Sequence, residues 1–233
     1  MTTGHAVVTT EVMMPGDGGE MQTWVSRPDV PGRFPALVML HPSFAPPNDD
    51  FRNAAVRLAG EGFTTVAYNW MTHERDPSDS ALLTSLEECA RYLAAQPYVE
   101  PEQLAIAGFC GGGVHALLTL ARLSNFTAGV LFHGGAFRRE LTPEHPVHPF
   151  DLASDIDAPV LMLHGAADTI SPIEKIYEFA TRMNELGKEF ELKVYSGTDH
   201  AFVMPGSERY REQPSEDAYR EAVSFLRRIY GGA

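Results

Sequence analysis

The sequence predicts one α/β domain, residues 1–233, with a mostly parallel central sheet of about eight strands and helices on both of its faces. Three observations predict this class. Short apolar runs of β-forming residues alternate with helical patterns, several runs are apolar at successive positions, and 44% of the 233 residues are hydrophobic. Strands that are apolar on both faces are typical of a parallel sheet covered by helices. A hydrophobic fraction of this size is ample for a packed core.

The first two strands are predicted to pair as an antiparallel hairpin. The candidates run from Ala6 to Met13 and from Met21 to Arg27, and Pro15-Gly16-Asp17-Gly18-Gly19 lies between them. Proline and glycine at this density are typical of a turn, and a short turn joins neighbouring antiparallel strands.

Six further strands are predicted from short apolar runs. In Leu37-Val38-Met39-Leu40 and Val160-Leu161-Met162-Leu163 every position is apolar, so both faces of these strands are expected to be buried. The six runs are Ala36 to His41, Phe63 to Asn69, Leu104 to Gly108, Thr127 to His133, Pro159 to His164 and Phe190 to Tyr195.

Amphipathic helices are predicted between the later strands. Apolar residues recur three and four positions apart, which gives each helix one stripe that can face the sheet. The three clearest stripes are Leu82, Leu86, Cys89 and Leu93; Val114, Leu117, Leu118 and Ala121; and Ala218, Ala222, Phe225, Leu226 and Ile229.

A complete start signal precedes one further helix. Ser171-Pro172-Ile173-Glu174 offers Ser171 as the N-cap, proline at the first helical position and Glu174 in a capping box. Gly187 is placed to end this helix. The proline-rich segment from Ala136 to Ala158 has no clear periodicity, so we expect a surface excursion or a small lid there.

The charge balance and the segment pattern exclude several functions. The chain has 18 basic and 31 acidic residues, a net charge of −13, which is the wrong sign for a protein that wraps a nucleic acid backbone. The N-terminus lacks a basic start followed by an apolar run, and no stretch approaches the about 20 apolar residues of a membrane span. We therefore expect a cytoplasmic protein with no nucleic acid or membrane partner.

No cofactor is expected from the motifs. The two cysteines form no CxxC pair, and neither GxGxxG nor GxxxxGK occurs, so the signs of a cysteine zinc site and of a nucleotide cradle are missing. His145 and His148 lie three residues apart in a proline-broken segment without a nearby third ligand, which disfavours a metal site. Cys89 lies on an apolar helical stripe and is expected to belong to the core.

Cys110 lies where a nucleophile would be expected. Leu104-Ala105-Ile106-Ala107 is a predicted strand, Gly108-Phe109-Cys110-Gly111-Gly112-Gly113 follows, and a helix begins at once. This context is that of a nucleophile elbow, in which glycines allow a sharp turn. The helix N-terminus would favour the Cys110 thiolate, and the N–H of Gly111 could bind a developing oxyanion. A lone cysteine is more often a buried structural residue, so this interpretation depends on its partners.

A base and an acid occur in loops that follow later strands. His200 follows the last predicted strand, and Asp168 follows the strand before it. The order Cys110, Asp168, His200 is that of nucleophile, acid and base in α/β hydrolases. Asp199 is an alternative acid. Three further histidines end predicted strands and could reach the same edge of the sheet: His41, His133 and His164.

Over nearly its full length the chain resembles the dienelactone hydrolase family of α/β hydrolases. A cysteine in the elbow, where most α/β hydrolases carry serine, is the most specific sign of this resemblance. Four motifs carry it: Arg27-Pro28, Gly108-Phe109-Cys110-Gly111-Gly112, His164-Gly165-Ala166-Ala167-Asp168 and Asp199-His200-Ala201-Phe202. The resemblance implies the α/β-hydrolase fold and a reaction that requires no metal or organic cofactor.

The resemblance also implies roles for five residues. Cys110 would be the nucleophile, His200 the base and Asp168 the acid that orients His200. The oxyanion hole would consist of the N–H groups of Gly111 and Ser43, because Pro42, which precedes Ser43, has no N–H.

The chain departs from the family's pattern near the substrate. Pro42 stands where the family has a glutamate that contacts the nucleophilic thiol. Activation would then depend on His200 and the helix dipole, or on a neighbour such as His41. Val203 and Met204 stand where an arginine that holds the substrate carboxylate would be expected.

Seven residues are candidates for the substrate pocket. His73 and Arg75 follow a predicted strand, at a second position where the family has an arginine. Bulky side chains near the same edge favour a more apolar pocket, although plain packing explains each of them equally well. The seven candidates are His41, Phe44, Trp70, His73, Arg75, His133 and Phe202.

The sequence therefore predicts a carboxylic-ester hydrolase. It would cleave an ester or lactone bond in a small soluble substrate through a Cys110–His200–Asp168 triad and an acyl-enzyme, as a monomer or homodimer. The same triad could instead serve a thioesterase, or pass the acyl group to an acceptor other than water. From a different class, the chain could be a ligand-binding homologue with little turnover, because the glutamate and the arginines of the family are missing.

Overall fold

Eight strands form one sheet in the computed structural model, which describes residues 4–44 and 46–231. They are β1 (Val7–Gly16), β2 (Gly19–Pro28), β3 (Phe34–Leu40), β4 (Thr64–Tyr68), β5 (Val99–Phe109), β6 (Ala128–Phe132), β7 (Val160–Gly165) and β8 (Phe190–Tyr195). Their order in the sheet is β1-β2-β4-β3-β5-β6-β7-β8. The one-domain prediction also includes residues 1–3, 45, 232 and 233, which lie outside the described residues.

The strand directions bring the candidate residues to one edge of the sheet. β1 and β2 form the predicted antiparallel hairpin, with Gly16 opposite Gly19 at the turn, and β2 pairs antiparallel with β4. All pairs from β4 through β3, β5, β6 and β7 to β8 are parallel. The carboxyl ends of β3, β5, β6, β7 and β8 therefore meet at the same edge. The predicted fold class is confirmed.

Helices cover both faces of the sheet. Those described are α1 (Asp49–Gly60), α2 (Asp79–Ala94), α3 (Gly111–Arg122), α4 (Ile173–Glu185) and α5 (Glu212–Tyr230). α2, α3 and α4 pack on one face, and α1 and α5 pack on the other. Side chains of β3 alternate between the two cores, with Val38 and Leu40 in the first and Leu37 and Met39 in the second. Burial on both faces explains why this strand is apolar at successive positions.

α4 begins one residue later than the sequence predicts. Its N-cap is Pro172, without a side-chain cap hydrogen bond, so the predicted capping box of Ser171 and Glu174 is wrong. The reason is that the Ser171 backbone belongs to the preceding loop. Its N–H donates to the Asp168 carboxylate, and its C=O accepts a hydrogen bond from His164.

Other helix ends are explained by ordinary local signals. Gly187 follows the end of α4 with a φ of 66°, which confirms the predicted stop. No helix was predicted for residues 49–60, where α1 begins after an Asn48 cap whose side chain accepts the N–H of Phe51 at 3.0 Å. The predicted excursion contains a short 3₁₀ helix, Pro149–Asp155. None of the helices described is both long enough and apolar enough to span a membrane.

Candidate active site

The turn between β5 and α3 gives Cys110 a backbone conformation that residues other than glycine rarely adopt. Its φ is 55° and its ψ is −121°. The Cys110 N–H donates to the C=O of Phe132 at 3.1 Å, and its C=O accepts the N–H of Gly113 at 2.9 Å. Backbone strain held in this way is typical of functional sites. The Cys110 side chain is half-buried and reaches the cavity described below.

Two glycines beside Cys110 are required by close packing. A Cβ on Gly108 would overlap the C=O of Gly112, and a Cβ on Gly111 would overlap the Ser43 side chain. Gly111 is the first residue of α3, so its N–H has no acceptor within the helix. The two predicted oxyanion donors, Gly111 and Ser43, are thus neighbours in space.

The imidazole of His200 is hydrogen-bonded to the carboxylate of Asp168. Nδ1 of His200 lies 2.8 Å from Oδ2 of Asp168, and the two side chains are 4% and 0% exposed. Oδ1 of Asp168 accepts the N–H groups of Ile170 and Ser171, each at 2.8 Å. One carboxylate oxygen is therefore held by the loop after β7, and the other is bound to the imidazole.

The surroundings of this pair favour its charged forms. Burial raises the pKa of Asp168, but hydrogen bonds from His200 and from the loop outweigh it and hold that pKa below its usual range. Burial lowers the pKa of His200, but the Asp168 carboxylate and the neighbouring Cys110 outweigh it and raise that pKa to about 9. At neutral pH His200 is therefore an imidazolium. Nδ1 is taken by Asp168, so Nε2 is the ring nitrogen left to interact with Cys110.

Asp199, the alternative acid, binds backbone groups rather than the imidazole. Its Oδ1 accepts the N–H of His200 at 2.7 Å and the N–H of Thr169 at 3.2 Å. Its Oδ2 pairs with Nε of Arg209 at 3.2 Å. Asp199 thereby connects the loops after β7 and β8, whereas Asp168 is the acid bonded to the His200 ring.

Two of the strand-end histidines adjoin the His200–Asp168 pair. His133 is fully buried and meets His200 edge to face, with ring centroids 4.8 Å apart. Burial and the nearby His200 hold the pKa of His133 well below its usual range, so its ring is neutral. His164 donates from Nε2 to the C=O of Ser171 at 2.8 Å and lies 3.5 Å from Oδ2 of Asp168.

A cavity of about 850 Å³ opens at this edge of the sheet, a size common for small-molecule sites. Ser43, Cys110, Gly111 and His200 line one part of it. The rest of the wall comes from Asp76 in the segment before α2, from α3, from the segment after β6, and from the segment that leads into α4 with the first turn of α4. The nucleophile, base and oxyanion donors predicted from the sequence therefore face one cavity, and Asp168 supports it from behind His200.

Two arginines and one lysine lie in the cavity wall, together with the carboxylates of Asp76 and Glu140. Nη2 of the nearly buried Arg138 pairs with Oδ1 of Asp79 at 2.6 Å, and Lys175 pairs with Glu178 at 2.7 Å. Arg139 is exposed and has no ion-pair partner within the described part of the chain. None of these three side chains was predicted to belong to the site. The available signal was that the 136–158 excursion follows β6 at the carboxyl edge, where ligands bind in such sheets.

The cavity wall is not the one predicted, because none of the seven candidate substrate-binding residues lines it. His41 is buried and stacks on Trp70 with ring centroids 4.9 Å apart, and Trp70 Nε1 donates to the C=O of His41. Large rings are stabilised more by burial in the core than by the open edge. The candidates that are buried in the interior are His41, Trp70, His133 and Phe202. Those exposed outside the lining are Phe44, His73 and Arg75.

His145 and His148, the two histidines of the 136–158 segment, form hydrogen bonds that fix part of the cavity wall. His145 donates from Nδ1 to Oδ1 of Asp79 at 2.8 Å, and Nδ1 of His148 accepts the N–H of Arg138 at 3.1 Å. Within residues 4–44 and 46–231, no group of three or more His, Cys, Asp or Glu side chains is arranged to hold a metal ion.

The comparisons with known proteins agree on one family. A model described as the dienelactone hydrolase family matches residues 66–230. A probable 2-oxo-3-(5-oxofuran-2-ylidene)propanoate lactonase of Bradyrhizobium sp is 29% identical over 228 residues, which are 91% of this chain and 91% of the relative. A protein of Salmonella typhimurium with the provisional name carboxymethylenebutenolidase is 27% identical over 237 residues, covering 94% of this chain and 86% of the relative.

Solved structures agree with the fold. A crystal structure from Klebsiella pneumoniae, provisionally named a dienelactone hydrolase, is 26% identical and superposes with a TM-score of 0.87 over 95% of this chain and 99% of its own. A dienelactone hydrolase-like promiscuous phosphotriesterase from metagenomic libraries is 20% identical, with a TM-score of 0.80 over 97% of this chain and 100% of its own. At that identity the second likeness shows the fold alone.

Proposed function

The chain belongs to the dienelactone hydrolase family, and from this premise we propose that it hydrolyses a carboxylic ester or lactone by attack of the Cys110 thiolate. As a member of the family the chain is a carboxylic-ester hydrolase. The proposal concerns the residues that carry the reaction. It rests on one observation: a single cavity contains Cys110 on a strained turn, Gly111 at the start of α3, and His200, whose Nδ1 is bonded to buried Asp168. Acyl transfer requires this set of groups.

In the first half-reaction the Cys110 sulfur attacks the acyl carbon. The carbonyl electron pair moves to oxygen, and the N–H groups of Gly111 and Ser43 stabilise the negative charge. When the intermediate collapses, the bond between the carbon and the leaving oxygen breaks, and the His200 imidazolium gives its Nε2 proton to that oxygen. The result is a thioester on Cys110, a neutral His200 and an alcohol, which stays attached to the acyl group if the substrate is a lactone.

In the second half-reaction water releases the acyl group. Neutral His200 takes one proton from water at Nε2, the hydroxide adds to the thioester carbon, and the C–S bond breaks. A carboxylic acid leaves, and the Cys110 thiolate and the His200 imidazolium are restored. Asp168 holds Nδ1–H throughout, so it orients the ring and stabilises its positive charge.

The proposed activation assigns to His200 the part that a glutamate plays in the family. Pro42 stands at the glutamate's position and has no ionisable group. The ring of His41, the other neighbour considered, is bonded through Nδ1 to the C=O of Pro42 at 2.9 Å and stacks on Trp70. The pKa of His200 is raised, in part by Cys110 itself, so we propose that the two side chains act together as an imidazolium–thiolate pair.

The substrate is proposed to carry a carboxylate. Arg139, in the cavity wall, has no ion-pair partner among the described residues and can pair with a bound anion. The relative from Bradyrhizobium is named for a propanoate, which supports the same class. The anionic group would then lie against the segment after β6, instead of the positions of Val203 and Met204.

Turnover of p-nitrophenyl acetate and of a dienelactone by wild type and Cys110→Ala tests the proposed function. We expect Cys110→Ala to abolish turnover of both, because no other side chain of the cavity is a comparable nucleophile. Cys89→Ala, which removes the buried thiol, is the matched control and should remain active. Mass spectrometry of quenched wild type should detect the acyl group on Cys110.

Two outcomes would contradict the proposal. Equal turnover by wild type and Cys110→Ala would exclude the thiol as nucleophile, and a stoichiometric burst without turnover would favour the ligand-binding alternative. Arg139→Gln should raise KM for the dienelactone about 10-fold or more and leave p-nitrophenyl acetate unchanged, because only the former carries a carboxylate. An equal effect on both substrates would exclude Arg139 as the anion's partner.

A further inference from the structure

His164 is a buried polar residue that the proposed reaction does not use. It is the last residue but one of β7, and its side chain is 0% exposed. Burying an imidazole costs free energy unless the ring is hydrogen-bonded. An apolar residue would suit this strand, whose other side chains are apolar. Core packing alone therefore does not explain why a hydrogen-bonded histidine stands at this position of β7.

The contacts of His164 determine its tautomer. A carbonyl only accepts hydrogen bonds, so the 2.8 Å contact between Nε2 and the C=O of Ser171 requires a proton on Nε2. Burial lowers the pKa of His164, so the ring is neutral. Its Nδ1 is buried without a hydrogen-bond partner among the described residues and carries no proton.

The Ser171 peptide links His164 to Asp168. The C=O of Ser171 accepts from His164, and the N–H of Ser171 donates to Oδ1 of Asp168 at 2.8 Å. Nε2 of His164 also lies 3.5 Å from Oδ2 of Asp168, the oxygen that is bonded to His200. The ring thus contacts both ends of the loop that holds the carboxylate.

We propose that His164 is a positioning residue: by holding the Ser171 carbonyl, it fixes the loop that directs the Asp168 carboxylate at His200. Its effect on turnover rests on the proposed function, whereas its effect on the His200–Asp168 bond does not. A residue that only fills space is replaceable by an apolar side chain of similar size. A positioning residue is replaceable only by a side chain that donates at the same place.

Besides Cys110, whose side chain also raises the pKa of His200, three titratable or charged residues of the described chain face His200 or this loop. His133, neutral and buried, faces His200 from the end of β6. Asp199 and Arg209 pair at the surface of the loop after β8, and Asp199 binds the N–H of Thr169. None of these three donates to Ser171, so His164 is the residue whose replacement releases that carbonyl.

The test compares His164→Gln, whose amide can donate near the place of Nε2, with His164→Leu, which cannot donate. NMR titration of the histidine ring nitrogens in the full chain measures the pKa of His200 without any substrate. We expect this pKa to stay near the wild-type value in His164→Gln and to fall by about one pH unit in His164→Leu, because the bond from Asp168 loosens. In turnover, kcat of His164→Leu should fall about 10- to 100-fold, with a smaller change in KM.

Leu161→Val, on the same strand, is the matched control for core damage. It should lower Tm and leave the His200 pKa unchanged. If His164→Leu fails to fold, His164→Asn replaces it, because that amide is polar but too short to reach Ser171. An unchanged His200 pKa in the variant that folds, or an equal fall in His164→Gln, would overturn the inference. A wild type as inactive as Cys110→Ala would overturn the proposed function instead and leave the titration result standing.

Discussion

At the level of single residues, the two ring nitrogens of His200 have different roles. Nδ1 is bonded to a buried carboxylate, so it cannot exchange its proton freely, while Nε2 is left to interact with Cys110. Because Asp168 is itself held by two backbone N–H groups, its charge stays in place when His200 loses or regains the Nε2 proton. The proposed proton transfers therefore need no movement of the acid.

The raised pKa of His200 gives a pH prediction. For an alkyl ester, kcat/KM should fall as pH rises through about 9, because the imidazolium that protonates the leaving alkoxide is then lost. A p-nitrophenyl ester should lose less, since its leaving group departs without a proton. Steady-state rates of both esters on either side of this pH check the prediction. Parallel profiles for the two would show that His200 is not the proton donor.

At the level of secondary-structure elements, the β5–α3 turn combines a strained backbone at Cys110 with a close contact between Gly111 and Ser43. The φ of Cys110 is tolerated because β6 and the first turn of α3 hold its N–H and C=O. The same turn brings Gly111 against Ser43 in the loop after β3. Neither donor can shift without disturbing the other, which keeps the proposed oxyanion hole rigid before the substrate binds.

Gly111→Ala is expected to abolish most of the activity. The added methyl group would overlap Oγ of Ser43 and crowd its Cβ, so Ser43 must shift, and we expect this shift to displace one oxyanion donor. Loss of one donor costs about 100- to 1000-fold in kcat. Kinetics on p-nitrophenyl acetate measure it, with Gly60→Ala as the control, because a Cβ at Gly60 meets only ordinary contacts at 3.7 Å and beyond. Full activity of Gly111→Ala would refute the predicted oxyanion hole.

At the scale of the whole molecule, Asp79 connects the start of α2 to the cavity wall. Its Oδ1 binds Arg138 and His145, which lie 59 and 66 residues further along the chain. Its N–H donates to the C=O of Glu144 at 3.1 Å. The carboxylate therefore compensates a nearly buried guanidinium and holds the segment after β6 against the rest of the fold.

Removing the Asp79 carboxylate should lower the free energy of unfolding and also weaken substrate binding. Asp79→Ala leaves the charge of Arg138 without its partner, and a broken buried pair costs about 3–5 kcal/mol in the free energy of unfolding. Chemical denaturation measures the loss, and KM should rise because the wall is released. Asp76→Ala is the control for stability, since Asp76 is 74% exposed and its pair with His145 contributes under about 1 kcal/mol. Equal stability of the two variants would contradict this account.

The sequence predicts most of this fold because its signals are local. Strand-wide apolar runs such as Val160 to Leu163, the turn between β1 and β2, and the stripe on α2 each reflect burial that a single element experiences. The strand–turn–helix context of Cys110 is equally local, and so is the stop at Gly187. The predicted start of α4 is wrong because it depends on contacts outside the helix. The backbone of Ser171 is hydrogen-bonded to Asp168 and His164, and a local capping signal does not reveal these bonds.

Local signals in the chain were enough to predict the sheet, most of its helices, the family and the residue types at strand ends, whereas α1 and the start of α4 were not predicted. Which of those ends meet became clear from the folded chain: Asp168 rather than Asp199 binds the His200 ring, His41 and Trp70 turn inward, and much of the cavity wall comes from the segment after β6. The two kinds of feature differ in the range of the forces that produce them. Periodicity and turn chemistry act between neighbours in the chain, whereas a cavity wall is set by side chains that compete for burial and for charged partners across tens of residues.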